Sequence, residues 1–547
     1  MSERLQEARE AIRRRDYYSA FPESPSPRIY GETAAAEGLA AFDAHRGAAF
    51  AVSTPGAEDE IAGDRSPYGL SMDIRYPRVT KTGLTALLDA AHAATPAWRD
   101  AGPERRVAVC LDIVDALHHR VFELANAVQH TSGQPFVMAF QAGGTHALDR
   151  ALEAIGYAAE AMDFHPPRAG WTKPGRGGDV VLDKTFTVVP RGVGLVIGCR
   201  TFPTWNSYPG LFADLVTGNP VIVKPHPEAV LPLAITVQAA QQVLTGEGFD
   251  PHLIMLAAED DGDRLARELA VDPRVRLIDY TGGSAFGEWL EGHATQAQVF
   301  AEKAGVNATV LHSTDDFVGL CDNLAFTLAL YSGQMCTTTQ NFFLPVAGLQ
   351  TEQGPKSVAD VAASIGGAIE RLLGEDGRAV EVLGAIAAPE ITDRADRAGK
   401  LGDVVVPSRT IIHPRFPEAM IMTPTMIEVG EDSSAYAEEC FGPVSFLITA
   451  ASVEEALTTF GRTMAEGGAM TAGVYSTDPD VINTARRLAL QAGVSLSENL
   501  TGPIYVNQSA AFSDFHGTGA NPAANAALVD LAFVANRFHV VQSRRLA

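Results

Sequence analysis

Short apolar runs alternate with segments of helical hydrophobic spacing between residues 190 and 312. Such alternation predicts βαβ units, which form a parallel sheet with helices on both faces. Ligands bind sheets of this kind beyond the carboxyl ends of the strands, so residues that follow the runs are the first candidates for a binding site. The runs are GLVIG, PVIVK, LIMLA, VRLIDY and QVFAE, and the residues at or after their ends include Asn206, Lys224, the TGGS segment and Glu302.

The region before this alternation shows two other patterns. The segment MSERLQEAREAIRRRD has the spacing of an amphipathic helix, and residues 17–80 are rich in Pro, Gly, Ser and aromatic residues, which favour turns and extended segments. We expect these residues to form an arm packed over the main body. Helical spacing then predicts helices between 81 and 164, and GDVVLDKTFTVVPRGVGLVIG predicts a partly exposed strand that leads into a buried one.

A second α/β segment is predicted from about 315 to 500, with helices in SVADVAASIGGAIERLLGE and VINTARRLALQ. The final segment, ALVDLAFVANRFHVVQSRR, is apolar and then basic. It fits an intersubunit strand or helix and, nearly as well, a last element of the core. Since 547 residues are several times the length of one domain, we expect two or three lobes.

The composition narrows the partners and the compartment. The formal net charge is −24, from 66 acidic and 42 basic side chains, so the average field repels nucleic acid and anionic lipid. No run approaches the roughly 18 apolar residues of a transmembrane helix, and the N-terminus lacks the apolar core of a signal peptide. The five cysteines are widely spaced without a CxxC motif, which favours a reducing compartment. We therefore expect a cytoplasmic protein, and we predict no metal site.

Several polar residues could carry chemistry, although each also has a structural interpretation. Cys336 lies in the small, polar segment YSGQMCTTTQ, where a thiol could be partly exposed among amide donors, but most free cysteines are buried spacers. Asn206, taken alone, is better explained as a helix cap. Lys224 could be a solvated charge or a contact for ribose or phosphate. Glu302 and Glu439 could both be surface carboxylates.

The glycines of YTGGSAFG follow a predicted strand and precede a predicted helix, where backbone amides can receive a diphosphate. The segment lacks the GxGxxG pattern of many dinucleotide sites. A plain strand-to-helix turn would explain it as well.

Taken in order, six segments between residues 201 and 444 resemble motifs of the aldehyde dehydrogenase superfamily. Six ordered matches are far more specific than any single one. The resemblance implies an α/β fold with a Rossmann-type cofactor domain, an α/β catalytic domain and a small β oligomerisation element. The segments are TFPTWNSYPG, PVIVKP, YTGGSAFG, AEKAG, GQMC and EECFGPV, and VNQSAAFSDF lies where the family ends its catalytic lobe.

The resemblance also implies a division of the chain and an assembly. The arm would cover 1–80, and the NAD(P)-binding domain would cover 81–171 and 187–312. The oligomerisation element would combine 172–186 with 520–547, and the catalytic domain would cover 313–519. Such a protein is expected to form a homodimer or a homotetramer.

Each matched residue takes a role from the resemblance. Cys336 would be the covalent nucleophile, Asn206 an oxyanion donor and Glu302 the general base that activates water. Lys224 and Glu439 would contact the cofactor ribose, and Phe441 would lie on the nicotinamide side. The residues implied to bind the cofactor are Thr204, Trp205, Lys224, Gly282, Gly283, Ser284, Glu439 and Phe441.

Two departures from the superfamily pattern affect these expectations. Lys303 and Ala304 stand where the family has glycines, which puts the backbone path near Glu302 in question. Pro227 stands where NAD-preferring relatives carry a Glu that binds the adenosine ribose. Without that carboxylate a 2′-phosphate meets less repulsion, so NADP is slightly favoured over NAD, while the neighbouring Glu228 keeps NAD open.

The chain further resembles the PaaN branch of the superfamily, which is involved in phenylacetate degradation. The resemblance covers nearly the whole sequence and includes YYSAFPESPSPRIYGE and SGQPFVMAFQAGG. It implies a CoA-linked semialdehyde, released after cleavage of a phenylacetyl-derived ring, as the small-molecule aldehyde that is oxidised to a carboxylic acid.

Other functions fit parts of the same sequence. A cysteine-dependent thioester hydrolase would use Cys336 with a His partner, and no His adjoins a matched catalytic residue in the sequence. A CoA-acylating dehydrogenase would resolve the thioester with CoA, whereas the retention of Glu302 favours water. The third alternative, an inactive dehydrogenase-fold scaffold, is disfavoured because Cys336, Asn206 and Glu302 are all present.

Overall fold

The N-terminal arm begins with the predicted amphipathic helix. The computed structural model describes residues 2–260, 262–517, 519–526 and 529–547. The Ser2 hydroxyl caps the first helix by accepting a hydrogen bond from the backbone N–H of Leu5 at 3.3 Å, and Leu5, Ala8 and Ile12 are buried. The elements of the arm are α1 (Glu3–Arg14), α2 (Pro27–Tyr30), α3 (Ala34–His45), β1 (Ala57–Gly63) and β2 (Ile74–Val79).

The arm contains more helix than its composition predicts. Turns and extended segments are expected between 17 and 80, but α3 occupies twelve of these residues. Its sequence, AAAEGLAAFDAH, is rich in alanine, which has the highest helix propensity. A composition averaged over the whole arm hides this local run.

The helices predicted between 81 and 164 are confirmed. The longest of them carry buried apolar residues at helical spacing, such as Val109, Ile113 and Leu117. A short π-helical turn, Gln141–Thr145, precedes the last helix of the group. The helices are α4 (Leu84–Asp100), α5 (Gly102–His119), α6 (Val121–Ser132), α7 (Phe136–Phe140) and α8 (His146–Asp163).

The predicted βαβ alternation forms a five-stranded sheet. The next elements are β3 (Arg168–Lys173), β4 (Val180–Pro190), β5 (Val193–Ile197), α9 (Pro203–Thr217), β6 (Val221–Lys224), α10 (Leu231–Gly246), β7 (Ile254–Leu256), α11 (Leu265–Ala270), β8 (Val275–Thr281), α12 (Ser284–His293) and β9 (Gln298–Glu302). The order is β7-β6-β5-β8-β9, and all neighbouring strands are parallel. Because the strands are parallel, their carboxyl ends lie on the same side of the sheet. Three of these ends are Lys224, Thr281 and Glu302.

A second sheet follows in sequence. The elements of this part of the chain are β10 (Ala308–Leu311), β11 (Ser313–Thr314), α13 (Phe317–Ala329), β12 (Asn341–Pro345), β13 (Gln350–Thr351), α14 (Val358–Leu373), α15 (Asp376–Leu383), α16 (Pro389–Ala398), β14 (Asp403–Val406), β15 (Thr425–Gly430), β16 (Val444–Ala450), α17 (Val453–Gly467), β17 (Ala472–Tyr475), α18 (Pro479–Ala492) and β18 (Leu496–Glu498). The short strands β11 and β13 pair with each other in a separate parallel sheet. Seven strands pair in the order β14-β15-β16-β12-β10-β17-β18, and only the β14-β15 pair is antiparallel.

The final segment contributes both to the core and to a separate sheet. It contains α19 (Leu531–Ala535) and β19 (Phe538–Leu546), while Ala527 and Leu528, in the predicted oligomerisation element, lie outside the described residues. Phe533 and Val534 of α19 are buried in the main core. β19 pairs with β4 in an antiparallel sheet of order β19-β4-β3, which is largely exposed.

The division into domains stays a prediction, although two of its boundaries differ from those of the sheets. β10 lies in the seven-stranded sheet, whereas the sequence division includes it in the cofactor-binding domain. The antiparallel sheet begins at Arg168, before the expected start of the oligomerisation element at 172. Among the described residues, no helix is both long and apolar enough to cross a membrane.

A buried ion cluster joins the C-terminal segment to the five-stranded sheet. The Arg537 guanidinium is fully buried and donates hydrogen bonds to Asp214 at 2.6 Å and to both carboxylate oxygens of Asp279 at 2.7 Å. It also lies 4.1 Å from the ring centroids of Phe300 and Phe533. Burial opposes its charge, but the two carboxylates raise the pKa of Arg537 above its ordinary value.

Replacing Arg537 with Met should destabilise the protein strongly. The apolar side chain would leave Asp214 and Asp279 buried without a cation, which typically costs about 3–5 kcal/mol. Urea denaturation followed by circular dichroism measures the loss. Arg545→Met is the matched control, because Arg545 pairs with Asp183 at 3.3 Å but is 82% exposed, so its loss should cost less than about 1 kcal/mol. Equal denaturation midpoints for the two variants would contradict the importance of the buried cluster.

Candidate active site

Three side chains from distant parts of the chain meet between the two sheets. The sulfur of Cys336 lies 3.4 Å from Nε2 of His516, and the same Nε2 lies 3.2 Å from Oε1 of Glu302. Glu302 and His516 are only 2% and 4% exposed, whereas Cys336 is half-buried. Cys336 and His516 both line a cavity, whereas Glu302 is held behind them inside the protein.

A left-handed turn before Cys336 ends α13 and directs the chain into the cysteine loop. Tyr331 and Ser332 have φ values of 54° and 50°, and Gly333 has a φ of 67°. Left-handed backbone is costly for non-glycine residues and needs support from its surroundings. Here the Ser332 hydroxyl donates to the carbonyl of Met422 at 2.9 Å, and the Tyr331 hydroxyl donates to the Ser132 carbonyl.

The side chain of Asn307 holds the cysteine loop in place. Its amide nitrogen donates to the carbonyl of Cys336 at 2.7 Å and to that of Thr338 at 2.9 Å. Its oxygen accepts from the backbone N–H groups of Met470 and Thr471 at 2.8 and 3.0 Å. Asn307 is 2% exposed, so these bonds are shielded from water.

Glu302 is fixed by backbone hydrogen bonds on both sides. Its carbonyl accepts from the N–H of Gly282 at 3.1 Å, and the next residue, Lys303, donates its N–H to Ala523 at 2.7 Å. The Lys303 side chain turns away and pairs with Glu291 at 2.9 Å. The Lys and Ala that replace family glycines are therefore compatible with a regular strand end at Glu302.

Asn206 lies inside α9 and is not its cap. The amide nitrogen donates to Oε2 of Glu302 at 3.1 Å and to the Thr281 hydroxyl at 3.2 Å. Its carbonyl oxygen is buried and has no hydrogen-bond partner among the described residues. The capping interpretation is wrong because Phe202 precedes the helix and no side chain caps it. The amide instead points at the strand ends.

Burial and neighbouring charge shift the pKa values of the cysteine and the glutamate in opposite directions. Burial raises the pKa of Cys336 well above its ordinary value, and the nearby Glu302 carboxylate adds to the rise. Burial also acts to raise the pKa of Glu302, but the charge of His516 in its protonated form, the hydrogen bonds with His516 and Cys336, and the charge of Arg150 together lower the net pKa. Glu302 is therefore ionised beside a thiol that releases its proton reluctantly.

His516 is the site residue that sequence reasoning missed. The matched segment VNQSAAFSDF ends at Phe515, one residue before it, and 180 positions separate it from Cys336. Its ring meets Trp205 edge to face with centroids 4.5 Å apart, which fixes its orientation. No His adjoins a matched catalytic residue in the sequence, but the fold brings this distant loop onto the cysteine.

The predicted cofactor residues Lys224, Gly282, Gly283 and Ser284 lie at the carboxyl ends of the five-stranded sheet. Gly283 precedes α12, whose N-terminus has no side-chain cap, and a Cβ on Gly283 would meet no atom within 4 Å. A diphosphate can therefore approach these backbone amides closely. Lys224 is 6% exposed and contacts Glu259, which lies beyond β7, the neighbouring strand. These residues fit a dinucleotide bound at the carboxyl ends of the strands.

The remaining predicted cofactor residues lie in two places. Burial raises the pKa of Glu439 to about 7 although the N–H of Gly305 donates to its carboxylate, and Phe441 lies beside it facing the cysteine loop. The Thr204 hydroxyl donates to the Gly143 carbonyl at 2.7 Å, away from the strand ends. Trp205 lines the cavity that contains Cys336, so the structure does not bring Thr204 and Trp205 together with the other cofactor residues.

A cavity of about 680 Å³ opens onto Cys336, Asn206 and His516. The N-terminal arm forms part of its wall, because the Ser19 hydroxyl and the Ala20 N–H both donate to Asp149 at 2.8 Å. No lysine or arginine lines it within the described part of the chain. Its aromatic lining residues are Tyr17, Tyr18, Phe202, Trp205, Phe326 and Tyr505, and its acidic ones are Glu23, Asp149 and Asp514.

Comparisons with known proteins agree on one family. The profile described as "Aldehyde dehydrogenase family" matches residues 58–509. A long-chain-aldehyde dehydrogenase of Acinetobacter sp is 25% identical over 439 residues, which cover 77% of this chain and 80% of that protein. A crystal structure of an NAD-dependent aldehyde dehydrogenase from Burkholderia multivorans is 51% identical, with a TM-score of 0.96 over 99% of this chain and 97% of that one.

More distant structures share the fold. A 1-pyrroline-5-carboxylate dehydrogenase from Thermus with bound NAD is 19% identical, with a TM-score of 0.73 over 97% of this chain and 99% of that one. Together with the sheets described above, these likenesses confirm the predicted α/β fold class. The family profile covers every predicted site residue and ends before His516.

Replacing Asn307 with Asp should loosen the cysteine loop. The substitution keeps the shape but removes the N–H donors, so two carbonyl oxygens lose their partner and face a carboxylate, at a cost of about 2–4 kcal/mol. Thermal unfolding measures the loss of stability. Asn483→Asp is the control, because Asn483 is exposed and bonds only Arg486 at 3.0 Å among the contacts described. A melting temperature equal to that of the control would contradict this role.

Proposed function

The chain belongs to the aldehyde dehydrogenase family and is an NAD(P)-dependent enzyme that oxidises aldehydes; we propose that Cys336 is its nucleophile, Asn206 its oxyanion donor and Glu302 its general base. The observation that carries this proposal is the convergence of the Cys336 thiol, the Asn206 amide and the Glu302 carboxylate beside a single cavity, which Cys336 and Asn206 line. The product is a carboxylic acid, formed through a thioester on Cys336.

His516 assists the first step by taking up the thiol proton. Its Nε2 lies 3.4 Å from the Cys336 sulfur, and once protonated the same N–H faces both the thiolate and the Glu302 carboxylate. The positive ring then stabilises a thiolate that burial and the neighbouring carboxylate disfavour. Attack of the sulfur on the aldehyde carbon forms the thiohemiacetal.

The Asn206 amide and the Cys336 backbone N–H stabilise the oxyanion of this intermediate. Donors of this kind contribute about 100-fold to 1000-fold to the rate. The Asn206 amide nitrogen already points at the strand ends, where it bonds Thr281 and Glu302. The dinucleotide would be held by Lys224, by the turn of Gly282 and Gly283, and by Glu439. It would supply the two-electron oxidant that the conversion of the thiohemiacetal into the thioester needs.

Glu302 then activates the water that hydrolyses the thioester. Its net pKa is lowered, so it is available as a carboxylate to accept the proton. Free Cys336 and the carboxylic acid are the products. The presence of this base supports hydrolysis by water over transfer of the acyl group to CoA.

The substrate we propose is a semialdehyde linked to CoA, derived from a cleaved phenylacetyl ring. The aromatic lining of the cavity suits a neutral, largely apolar chain that carries the aldehyde to Cys336. Because no cation lines the cavity in the described part of the chain, the phosphates of CoA would stay outside it, and only the acyl chain and part of the pantetheine arm would enter. The sequence resemblance to the PaaN branch supports this class of substrate.

We propose NAD as the cofactor. Pro227, which stands where NAD-preferring relatives carry a Glu, favours NADP, but the charge near Lys224 favours NAD. Glu259 places another carboxylate beside Lys224, where the adenosine ribose would lie, and its side chain is only 10% exposed. A 2′-phosphate there would face this buried negative charge. Glu228 is occupied elsewhere, since it contacts Arg200 and lies 3.6 Å from Arg65.

The alternative thioester hydrolase gains support from His516 but lacks the arrangement of a triad. In a triad the histidine bonds the nucleophile through one nitrogen and the carboxylate through the other. Here the Cys336 sulfur and Glu302 both approach Nε2, while the buried Nδ1 has no partner among the described residues. This geometry favours the dehydrogenase.

We further propose that the enzyme forms a homo-oligomer and acts in the cytoplasm. The exposed β19-β4-β3 sheet presents apolar side chains such as Trp171, Val181 and Val541 to solvent, which supports a dimer or tetramer formed through it. All five cysteines are free thiols, which supports a reducing compartment.

Cys336→Ala should abolish the aldehyde-dependent formation of reduced nicotinamide and retain cofactor binding. The assay compares a panel of aldehydes that includes hexanal, phenylacetaldehyde and a CoA-linked semialdehyde, with turnover followed by absorbance. Cys321→Ala is the control, because Cys321 is a buried thiol in the core of the second sheet. Turnover by Cys336→Ala would exclude the nucleophile, and a failure of the CoA-linked aldehyde to outperform the others would exclude the substrate.

Glu259→Gln should raise the use of NADP relative to NAD. Removing a like charge beside the 2′-phosphate should increase the ratio of the two kcat/KM values about tenfold or more, which corresponds to about 1.4 kcal/mol. Glu268→Gln is matched, since Glu268 also pairs with a lysine, Lys81, at 2.9 Å. Preference of the unmodified enzyme for NADP, or an unchanged ratio in Glu259→Gln, would count against the assignment.

A further inference from the structure

One sulfur, one nitrogen and one oxygen atom converge beside the cavity. The Cys336 sulfur, a ring nitrogen of His516 and a carboxylate oxygen of Glu302 all lie within 4.8 Å of one another. The shortest separations are 3.4 Å between sulfur and Nε2 and 3.2 Å between Nε2 and Oε1. These three donor types are those that zinc prefers in proteins.

The two separations that involve His516 match those between ligands around one tetrahedral zinc ion. Bond lengths of about 2.3 Å to sulfur and about 2.0–2.1 Å to nitrogen and oxygen place sulfur and nitrogen about 3.5 Å apart, and nitrogen and oxygen about 3.3 Å apart. Both values lie within about 0.2 Å of the separations here, which is the tolerance expected of a metal site. The sulfur and the carboxylate oxygen, which lie within 4.8 Å of each other, would come to about 3.5 Å apart on binding the ion.

The surrounding residues hold the three ligands in this arrangement. The Asn206 amide donates to the other oxygen of Glu302 at 3.1 Å, which fixes the carboxylate, and the Trp205 ring packs edge to face on His516. Asn307 holds the carbonyl of Cys336 at 2.7 Å. Such contacts around the ligands typically raise metal affinity 10-fold to 100-fold. The cavity supplies water for the fourth position.

The charge of the cluster also suits a divalent cation. The half-buried thiolate of Cys336 and the buried carboxylate of Glu302 would lie close together here, and an ion of charge +2 neutralises both. A soft thiolate with an imidazole selects zinc over magnesium or calcium, which prefer oxygen ligands. The sequence alone predicts no metal site, because the ligands lie at 302, 336 and 516 without metal-binding spacing.

We propose that Cys336, His516 and Glu302 form a zinc-binding site, and that bound zinc reversibly inhibits the enzyme. The ion takes the position between sulfur and Nε2 that the shared proton would otherwise occupy. It therefore removes both the nucleophile and the base from the reaction. The inhibition rests on the proposed function, whereas the binding of zinc does not.

Cobalt(II) added to the full-length protein without cofactor or aldehyde tests the binding directly. Coordination by a thiolate gives an intense charge-transfer absorption, which should appear with one equivalent of cobalt and be displaced by zinc. Cys336→Ala should lose this absorption, and His516→Ala and Glu302→Gln should weaken metal binding about tenfold or more. His312→Ala and Cys321→Ala, which change a histidine and a cysteine outside the site, should bind as the unmodified protein does.

Inhibition by zinc is measured in parallel with magnesium as the comparison. Zinc should inhibit turnover and a chelator should restore it, while the same concentration of magnesium has no effect. Absence of the thiolate–cobalt absorption, or zinc affinity unchanged in His516→Ala and Glu302→Gln, would overturn the site. The absorption without any aldehyde-dependent turnover would support the zinc site and refute the proposed function. Normal turnover that zinc leaves unaffected would refute the inhibition.

Discussion

The side chain of Asn307 is the constraint on which the candidate site depends. It follows the strand that ends in Glu302 and directly precedes β10, so it stands where the chain passes from one sheet to the other. Its four hydrogen bonds join that passage to the cysteine loop and to the segment before β17. Buried hydrogen bonds between this one side chain and the backbone therefore hold the loop of Cys336 next to the chain that follows Glu302. A misplacement of about 1 Å can cost about 100-fold in rate, which explains why such a junction is fully hydrogen-bonded.

The sequence predicts much of the fold because the parallel strands are short, apolar and separated by amphipathic helices. All five apolar runs between 190 and 312 are strands of one sheet. The alanine-rich helix α3 escapes prediction because the composition of the arm conceals it. Ends of elements also escape, since Asn206 lies within α9 and not at its cap. Periodicity identifies an element more securely than it identifies its boundaries.

The site divides in the same way into local and distant contributions. Segments such as GQMC and AEKAG carry Cys336 and Glu302 in recognisable surroundings. His516 and Glu259 have no such local signal, because the role proposed for each depends on a contact that only the folded chain makes. His516 contacts Cys336 although 180 positions separate them. Glu259 contacts Lys224 from the segment that follows β7, the strand next to β6. The spacing of residues in the sequence therefore does not predict which charged or ionisable groups lie beside Cys336 and Lys224.

The buried Arg537 has a consequence for the order in which the chain can mature. Asp214 and Asp279 are synthesised long before it, and until it emerges from the ribosome they face each other without their cation. Burial and Asp279 then oppose ionisation of Asp214, whose pKa is raised even in the finished cluster. The interior of the five-stranded sheet therefore lacks the cation of this cluster until Arg537 joins it. Closure of this interior therefore waits for a residue translated 258 positions after Asp279, which makes it a late event in the folding of the chain.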